Sequence, residues 1–290
     1  MPYTKKVVDK EGAIAEAVSV EIAKKAGMSH PAFDNPEASI APKPEREKPD
    51  QWSVTLPQYN MESLLSDKLW RGELPMTNKQ FLASLGEVIA FNWYIGQGDL
   101  GMTNVSISGN KCYPFDFDCC FQHIQSEQSF AKMREPGFEP TNWENLGTPD
   151  EIIKGAINNL IASANVVGMG DSFKYLLNAE HLNVIRAGFN GQLGKMAKLD
   201  SSEIIDKYVP EPQRDTYKEY LSNKNQQIQQ MIPKEPKQQE VKKPFTGWEA
   251  CREASSNLFS AIFRFIVRNL HLSKEPVKNE ETRENRFNIE

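Results

Sequence analysis

Apolar positions recur with a helical period over much of the chain, and the short stretches that alternate are few and early. From Gly12 the run AIAEAVSVEIAKKAG places Ile14, Ala17, Val18 and Ile22 on one helical face and ends on Gly27, a natural C-terminal stop. Residues 77–94 give the strongest helix: Phe81, Leu82, Leu85, Val88, Ile89 and Trp93 form a broad stripe, and Thr77 or Asn78 caps its start. Residues 150–164 repeat the pattern through Ile152, Ile153, Ala156, Ile157, Leu160 and Ile161, with Thr148 or Asp150 as cap. Further helices are predicted over 172–177, 179–198 and 201–208, with a polar one over 214–231 and a last one over 249–271. Strand patterns fall at 3–8, 53–56, 105–107 and 112–117, the last two joined by the turn Ser108-Gly109-Asn110. Residues 57–60 break the second strand, and MESLLSDKLW then begins a helix.

Strands clustered early and helices dominating afterwards predict an α+β chain. Residues 30–50, rich in Pro, Glu, Lys and Asp, read as a loop; residues 233–243 read as a linker, and the charged stretch after Ser273 as a tail. The last helix is amphipathic, with Leu258, Phe259, Ile262, Phe263, Phe265, Ile266 and Leu270 on its apolar side; docking against the main body is its expected fate, and peripheral contact with a membrane surface the alternative. The net charge of −5 over 290 residues argues against a nucleic-acid partner. No apolar run is long enough to span a bilayer, and no signal-peptide core opens the chain. The four cysteines, Cys112, Cys119, Cys120 and Cys251, form no disulfide framework, which fits a reducing, cytoplasmic compartment. Cys119-Cys120 with His123 invites a zinc reading, but no second pair stands at metal-site spacing, so buried thiols are expected.

The chemistry concentrates between Ile95 and Cys120. Asp99 and Asn104 lie on a Gly-rich loop before the hairpin, Asp116 and Asp118 at its far end, so the fold-back can bring them to one place. Hard oxygen donors and an acceptor-positioning carboxylate are what Mg²⁺-assisted phosphoryl transfer requires. Asp99-Leu-Gly-Met-Thr-Asn104 followed by Phe115-Asp116-Phe117-Asp118 resembles the catalytic and metal-binding loops of the atypical protein-kinase-like superfamily, closest to its phosphoinositide-kinase-like branch and the bacterial effector kinases similar to it. That branch carries His where this chain has Gly101, and Gly or Asp where it has Asp118. The resemblance implies a two-lobed fold: a reduced N-terminal β lobe over 1–60, a larger, mainly helical lobe over 61–232, the linker and amphipathic helix over 233–272, and the tail over 273–290.

It further implies ATP and Mg²⁺ as cofactors, Asp99 as the catalytic carboxylate, and Asn104, Asp116 and Asp118 as metal ligands. A strand lysine would pair with a helix glutamate and touch the nucleotide phosphates. Lys5 and Lys6 point to opposite faces of their strand, so only one can face the cleft; Lys6 is taken first. Glu16 is the paired carboxylate, and Glu21 the fallback, otherwise a partner of Lys25 at i,i+4. Leu56 to Tyr59, with Gln58, would form the adenine-binding hinge, and residues 127–145 the activation or substrate loop. Met1 leaves no room upstream for a phosphate-covering Gly-rich hairpin, so the expectation is a fragment, another way of covering the phosphates, or a degenerate kinase fold. The acceptor would be a protein, a phosphoinositide or a soluble inositol phosphate, and the effector likeness points to a host-cell cytoplasm. Two alternatives stand beside kinase activity: a pseudokinase-like binding module, and transfer of AMP on the same fold.

Overall fold

The computed structural model describes residues 3–7, 9–30, 38–43, 51–56, 63–98, 100–121, 124–125, 143 and 147–232. These belong to a unit spanning Met1–Pro233; a second unit, Lys234–Glu290, lies outside the described residues, and with it the predicted helix 249–271 and the tail. Most of the stretch 126–146 lies outside them as well.

The described chain is α+β. Strand β1 (Tyr3–Val7) leads through Asp9 into α1 (Lys10–Lys25). The Asp9 side chain accepts the Gly12 N–H at 3.0 Å, which satisfies one of the free donors at the helix start and sets that start two residues before the predicted one. Gly27 follows the helix with φ +70°, the left-handed conformation a helix stop requires. Strands β2 (Ser39–Pro42) and β3 (Trp52–Leu56) complete an antiparallel sheet of order β1-β3-β2, and α1 packs against all three strands. Strand β2 corrects the reading of 30–50 as a loop throughout: its four residues are mostly exposed, so the alternation that marks a half-buried strand is missing.

The second sheet has order β4-β5-β6, all antiparallel. Strand β4 (Ser63–Leu64) replaces the predicted helix start, and α2 (Leu65–Trp70) begins only after it. Strands β5 (Val105–Ser108) and β6 (Lys111–Pro114) form the predicted hairpin, with Ser108 opposite Lys111 and Gly109 at φ +57°.

Between these strands runs α3 (Lys79–Ile95), capped by the Asn78 side chain, which accepts from Gln80 N and Phe81 N at 2.8 and 3.2 Å. Nearly every residue from Phe81 onward is buried. The remaining helices are α4 (Pro149–Asn165), begun by a Thr148–Glu151 capping box, α5 (Asp171–Lys174) with a 3₁₀ turn (Tyr175–Leu177), α6 (Ala179–Met196), α7 (Ser202–Tyr208) and α8 (Glu211–Met231). Glu21 does not pair with Lys25: it accepts from Tyr208 Oη at 3.0 Å and lies 3.9 Å from Lys207, while Lys25 turns to Glu203 at 3.5 Å. Packing of α1 on α7 brings those partners within reach, and a tertiary contact displaces the local i,i+4 pair. Among the described residues no helix is long and apolar enough to cross a membrane.

Helices α3 and α6 cross at contact distance through two glycines. A Cβ on Gly86 would collide with the Ile185 carbonyl, and one on Gly188 with the Ala83 carbonyl; both obstacles are backbone and cannot swing away. Gly86→Ala and Gly188→Ala are each expected to lower stability by at least about 1–3 kcal/mol. Gly191→Ala, on the same helix with open space around it, is expected to add about 0.5–1 kcal/mol through helix propensity. Urea-denaturation midpoints of the three variants check both signs.

Candidate functional site

The site is built where β1, α1 and the loop after β6 meet. Glu16 sits in α1 with only 2% of its surface exposed, among small and aliphatic residues of the same helix. A buried carboxylate needs partners, and Glu16 has two on one oxygen: Lys5 Nζ donates to Oε2 at 2.9 Å, and the Phe117 backbone N–H donates to it at 2.6 Å. Lys5 Nζ also donates to Asp116 Oδ1 and lies 3.2 Å from Asp118 Oδ2. Three carboxylates therefore face the three N–H donors of one ammonium. The lysine in the cluster is Lys5, which corrects the first choice of Lys6; Lys6 is the next position on β1, opposite Ser53 in the ladder.

Charge and burial pull the ionisations apart. Burial disfavours the Lys5 ammonium, but Glu16, Asp118 and Asp116 outweigh it and hold the group charged well above its ordinary range. Burial raises Glu16 from 4.5 to about 7 against the opposing pull of Lys5, with Asp116 and Asp118 adding to the rise. Burial raises Asp118 as well, followed by the neighbouring Asp116 charge, again against Lys5.

The loop carrying the two aspartates is held on every side. Asp116 adopts φ +65° and Phe121 φ +57°, a region that non-glycine residues occupy at a cost, though Asp tolerates it better than most. Gln97 donates from Nε2 to the Asp116 carbonyl at 2.7 Å, and its Oε1 accepts from Cys120 Sγ at 3.4 Å. Gln125 Nε2 donates to the carbonyls of Asp118 and Cys120 at 3.0 and 2.6 Å. The Phe121 N–H returns to the Ile95 carbonyl at the end of α3, at 2.8 Å. The Phe121 ring packs on Tyr217 and Tyr220 of α8, with centroids 4.9 and 5.6 Å away. Gly96, at φ +65°, has no room for a Cβ beneath the Tyr220 hydroxyl.

Asp99 itself lies outside the described residues; its flanks do not. The Gly98 carbonyl accepts from Trp143 Nε1 at 3.3 Å and from Asn159 Nδ2 at 3.2 Å, and Asn159 Nδ2 also lies 3.4 Å from the Leu100 carbonyl. Met102 N–H donates to Ser163 Oγ at 3.3 Å. Asn104 is buried, its amide oxygen accepts from Thr103 Oγ1 at 3.1 Å, and its backbone carbonyl accepts from Phe115 N at 2.9 Å. The loop residue and the acidic pair are thus joined through the residue next to Asp116. Leu56 is buried at the end of β3 and lines a recess with Glu16, Val20, His30, Phe115 and Phe117. Gln58, Tyr59 and His123 lie outside the described residues. Cys112, Cys119 and Cys120 are buried and in no disulfide.

One ligand oxygen each from Glu16, Asp116 and Asp118 lie within 4.8 Å of one another, a donor set of the hard type that Mg²⁺ takes. Sequence reasoning missed Gln97, Asn159 and Trp143. Only Asn159 left a trace: it stands on the apolar stripe of α4, three residues after Ala156 and seven after Ile152. Gln97 and Trp143 act through backbone carbonyls that no periodicity marks.

The raised carboxyl groups set a pH dependence for the metal-free protein. Between 4.5 and about 7 native Glu16 keeps a proton that the unfolded chain has released. The stabilisation is therefore full below the unfolded value and fades as pH rises through the folded one. Denaturant midpoints measured in EDTA from about pH 5 to about pH 8 are expected to fall in the wild type and to fall less in Glu16→Gln.

No protein-family model matches this chain, and no curated protein matches it either.

Proposed function

We propose that the chain is an ATP- and Mg²⁺-dependent phosphotransferase of the atypical kinase-like type. The observation that carries this reading is the Lys5–Glu16 pair tied to Asp116-Phe117-Asp118 through both the ammonium and the Phe117 N–H. A pairing expected from the resemblance alone would not require that third connection. In this reading the β1-β3-β2 sheet with α1 corresponds to a reduced small lobe, and the helices around α3 to the larger one.

Lys5, positioned by Glu16, is assigned to the nucleotide phosphates. Asp116 and Asp118, and with them Asn104, are assigned to Mg²⁺, which neutralises charge on the phosphates when bound. Asp99 is assigned to orienting the acceptor hydroxyl; beside it in the chain, Asn159 and Trp143 hold the Gly98 carbonyl and Asn159 also reaches that of Leu100. A protein or an inositol phosphate headgroup is the proposed acceptor class.

A second reading, a binding module without transfer, is favoured by one observation: all three N–H donors of Lys5 are engaged by carboxylates, none by a phosphate-facing position. Thermal stabilisation by ATP with and without Mg²⁺, together with transfer of label from γ-³²P-ATP, separates the two. Mass spectrometry of a labelled acceptor distinguishes phosphate from AMP. Asp116→Asn is expected to reduce transfer by orders of magnitude while the unliganded protein still unfolds cooperatively, because Lys5 keeps Glu16 and Asp118. Undiminished transfer in that variant ends the assignment.

A further inference from the structure

We propose, resting on the reading above, that the Lys5 ammonium is the built-in counter-cation of the acidic cluster, and that a divalent ion replaces it at Asp116 and Asp118 only as a nucleotide phosphate takes over its N–H donors. Metal and nucleotide then bind with positive coupling, each poorly alone. The geometry is specific. Lys5 is 12% exposed, and its Nζ contacts Asp116 and lies within 3.2 Å of Asp118. Those are the carboxylates that a divalent ion would use, and each offers an oxygen to the set within 4.8 Å of one another. An ammonium held by both carboxylates and a divalent ion bound to the same pair would meet with strong like-charge repulsion at close range. The two cations are therefore alternatives at one place.

The anchoring is asymmetric, which gives the exchange a direction. Glu16 is more deeply buried than either aspartate and is held by the Phe117 N–H as well as by Lys5. Asp116 and Asp118 are partly open to solvent. Lys5 can release the aspartates while keeping Glu16. On release, two N–H donors in a largely buried position lose their acceptors, a costly state unless another anion fills in. Phosphate oxygens are the anion that a nucleotide supplies. By linkage, the factor by which nucleotide tightens the metal equals the factor by which metal tightens nucleotide.

Free and bound Mn²⁺ are separated by electron paramagnetic resonance, using full-length protein, Mn²⁺ alone, and Mn²⁺ with a non-hydrolysable ATP analogue. Wild type is expected to bind Mn²⁺ at least about tenfold more tightly with the analogue than without it. Lys5→Met is expected to bind Mn²⁺ alone at least about tenfold more tightly than wild type, and to lose most of the effect of the analogue. Equal or weaker Mn²⁺ binding by folded Lys5→Met overturns the proposal, as does a wild type whose Mn²⁺ affinity ignores bound analogue. Should Lys5→Met fail to fold with Glu16 unpaired, Lys5→Met/Glu16→Gln removes that charge and carries the same expectation. A wild type that takes up no nucleotide under any metal condition sinks the phosphotransferase reading instead, while a gain in Mn²⁺ affinity on loss of Lys5 would still establish the ammonium as the competing cation.

Discussion

One buried carboxylate ties the molecule together. Glu16 links residues 11 positions back and 101 positions ahead: Lys5 on β1 through its ammonium, and Phe117 through its backbone N–H. Leaving such a group without partners is costly, so the strand, the helix and the acidic loop are obliged to meet. The pairing is not a stabilising ornament. A buried ion pair often contributes little net stability against an apolar alternative, while removing one partner is strongly destabilising. What Glu16 provides is a fixed relation between three segments that are distant in sequence, at the point where the charged groups gather.

The opposite side of the acidic loop is fixed by α3. That helix is almost wholly buried, and its crossing with α6 is set by glycines that leave backbone against backbone. Its last turn carries the connections to the site: the Ile95 carbonyl takes the Phe121 N–H, Gly96 admits the Tyr220 hydroxyl, and Gln97 reaches the Asp116 carbonyl. The loop 116–121 is thus held between Glu16 on one side and the α3–α8 contact on the other. Two non-glycine residues at positive φ persist there because the surroundings over-determine them.

Much of this was legible from patterns of period and punctuation. The stripe of residues 77–94, the Thr148 cap with Glu151 three residues on, and the turn at Gly109 each encode a local answer in adjacent residues. Glu16 and the acidic pair were reachable through motif spacing. Less legible were features decided by tertiary contact. Strand β2 has no alternation because little of it is buried, and β4 is two residues long and exists only as a partner of β5. The choice between Lys5 and Lys6 is a parity question: a strand pattern shows that they differ in face, but not which face meets α1. Glu21 follows the same logic, since its i,i+4 neighbour loses to Lys207 and Tyr208 brought by a helix almost two hundred residues away.

Asp118 is the residue on which the chemical character of the cluster turns. With Gly there, one ammonium would face two carboxylates, Glu16 and Asp116. With Asp118 added, three carboxylates face it, each contributing a ligand atom within 4.8 Å of the others. The extra charge has two effects. It adds to the demand for positive charge at the cluster, and it holds Lys5 there more firmly. Gln125 fixes the Asp118 backbone carbonyl, and the carboxylate itself is held by Lys5. With the loop backbone fixed at both aspartates, the excess charge is met where it stands, by the Lys5 ammonium.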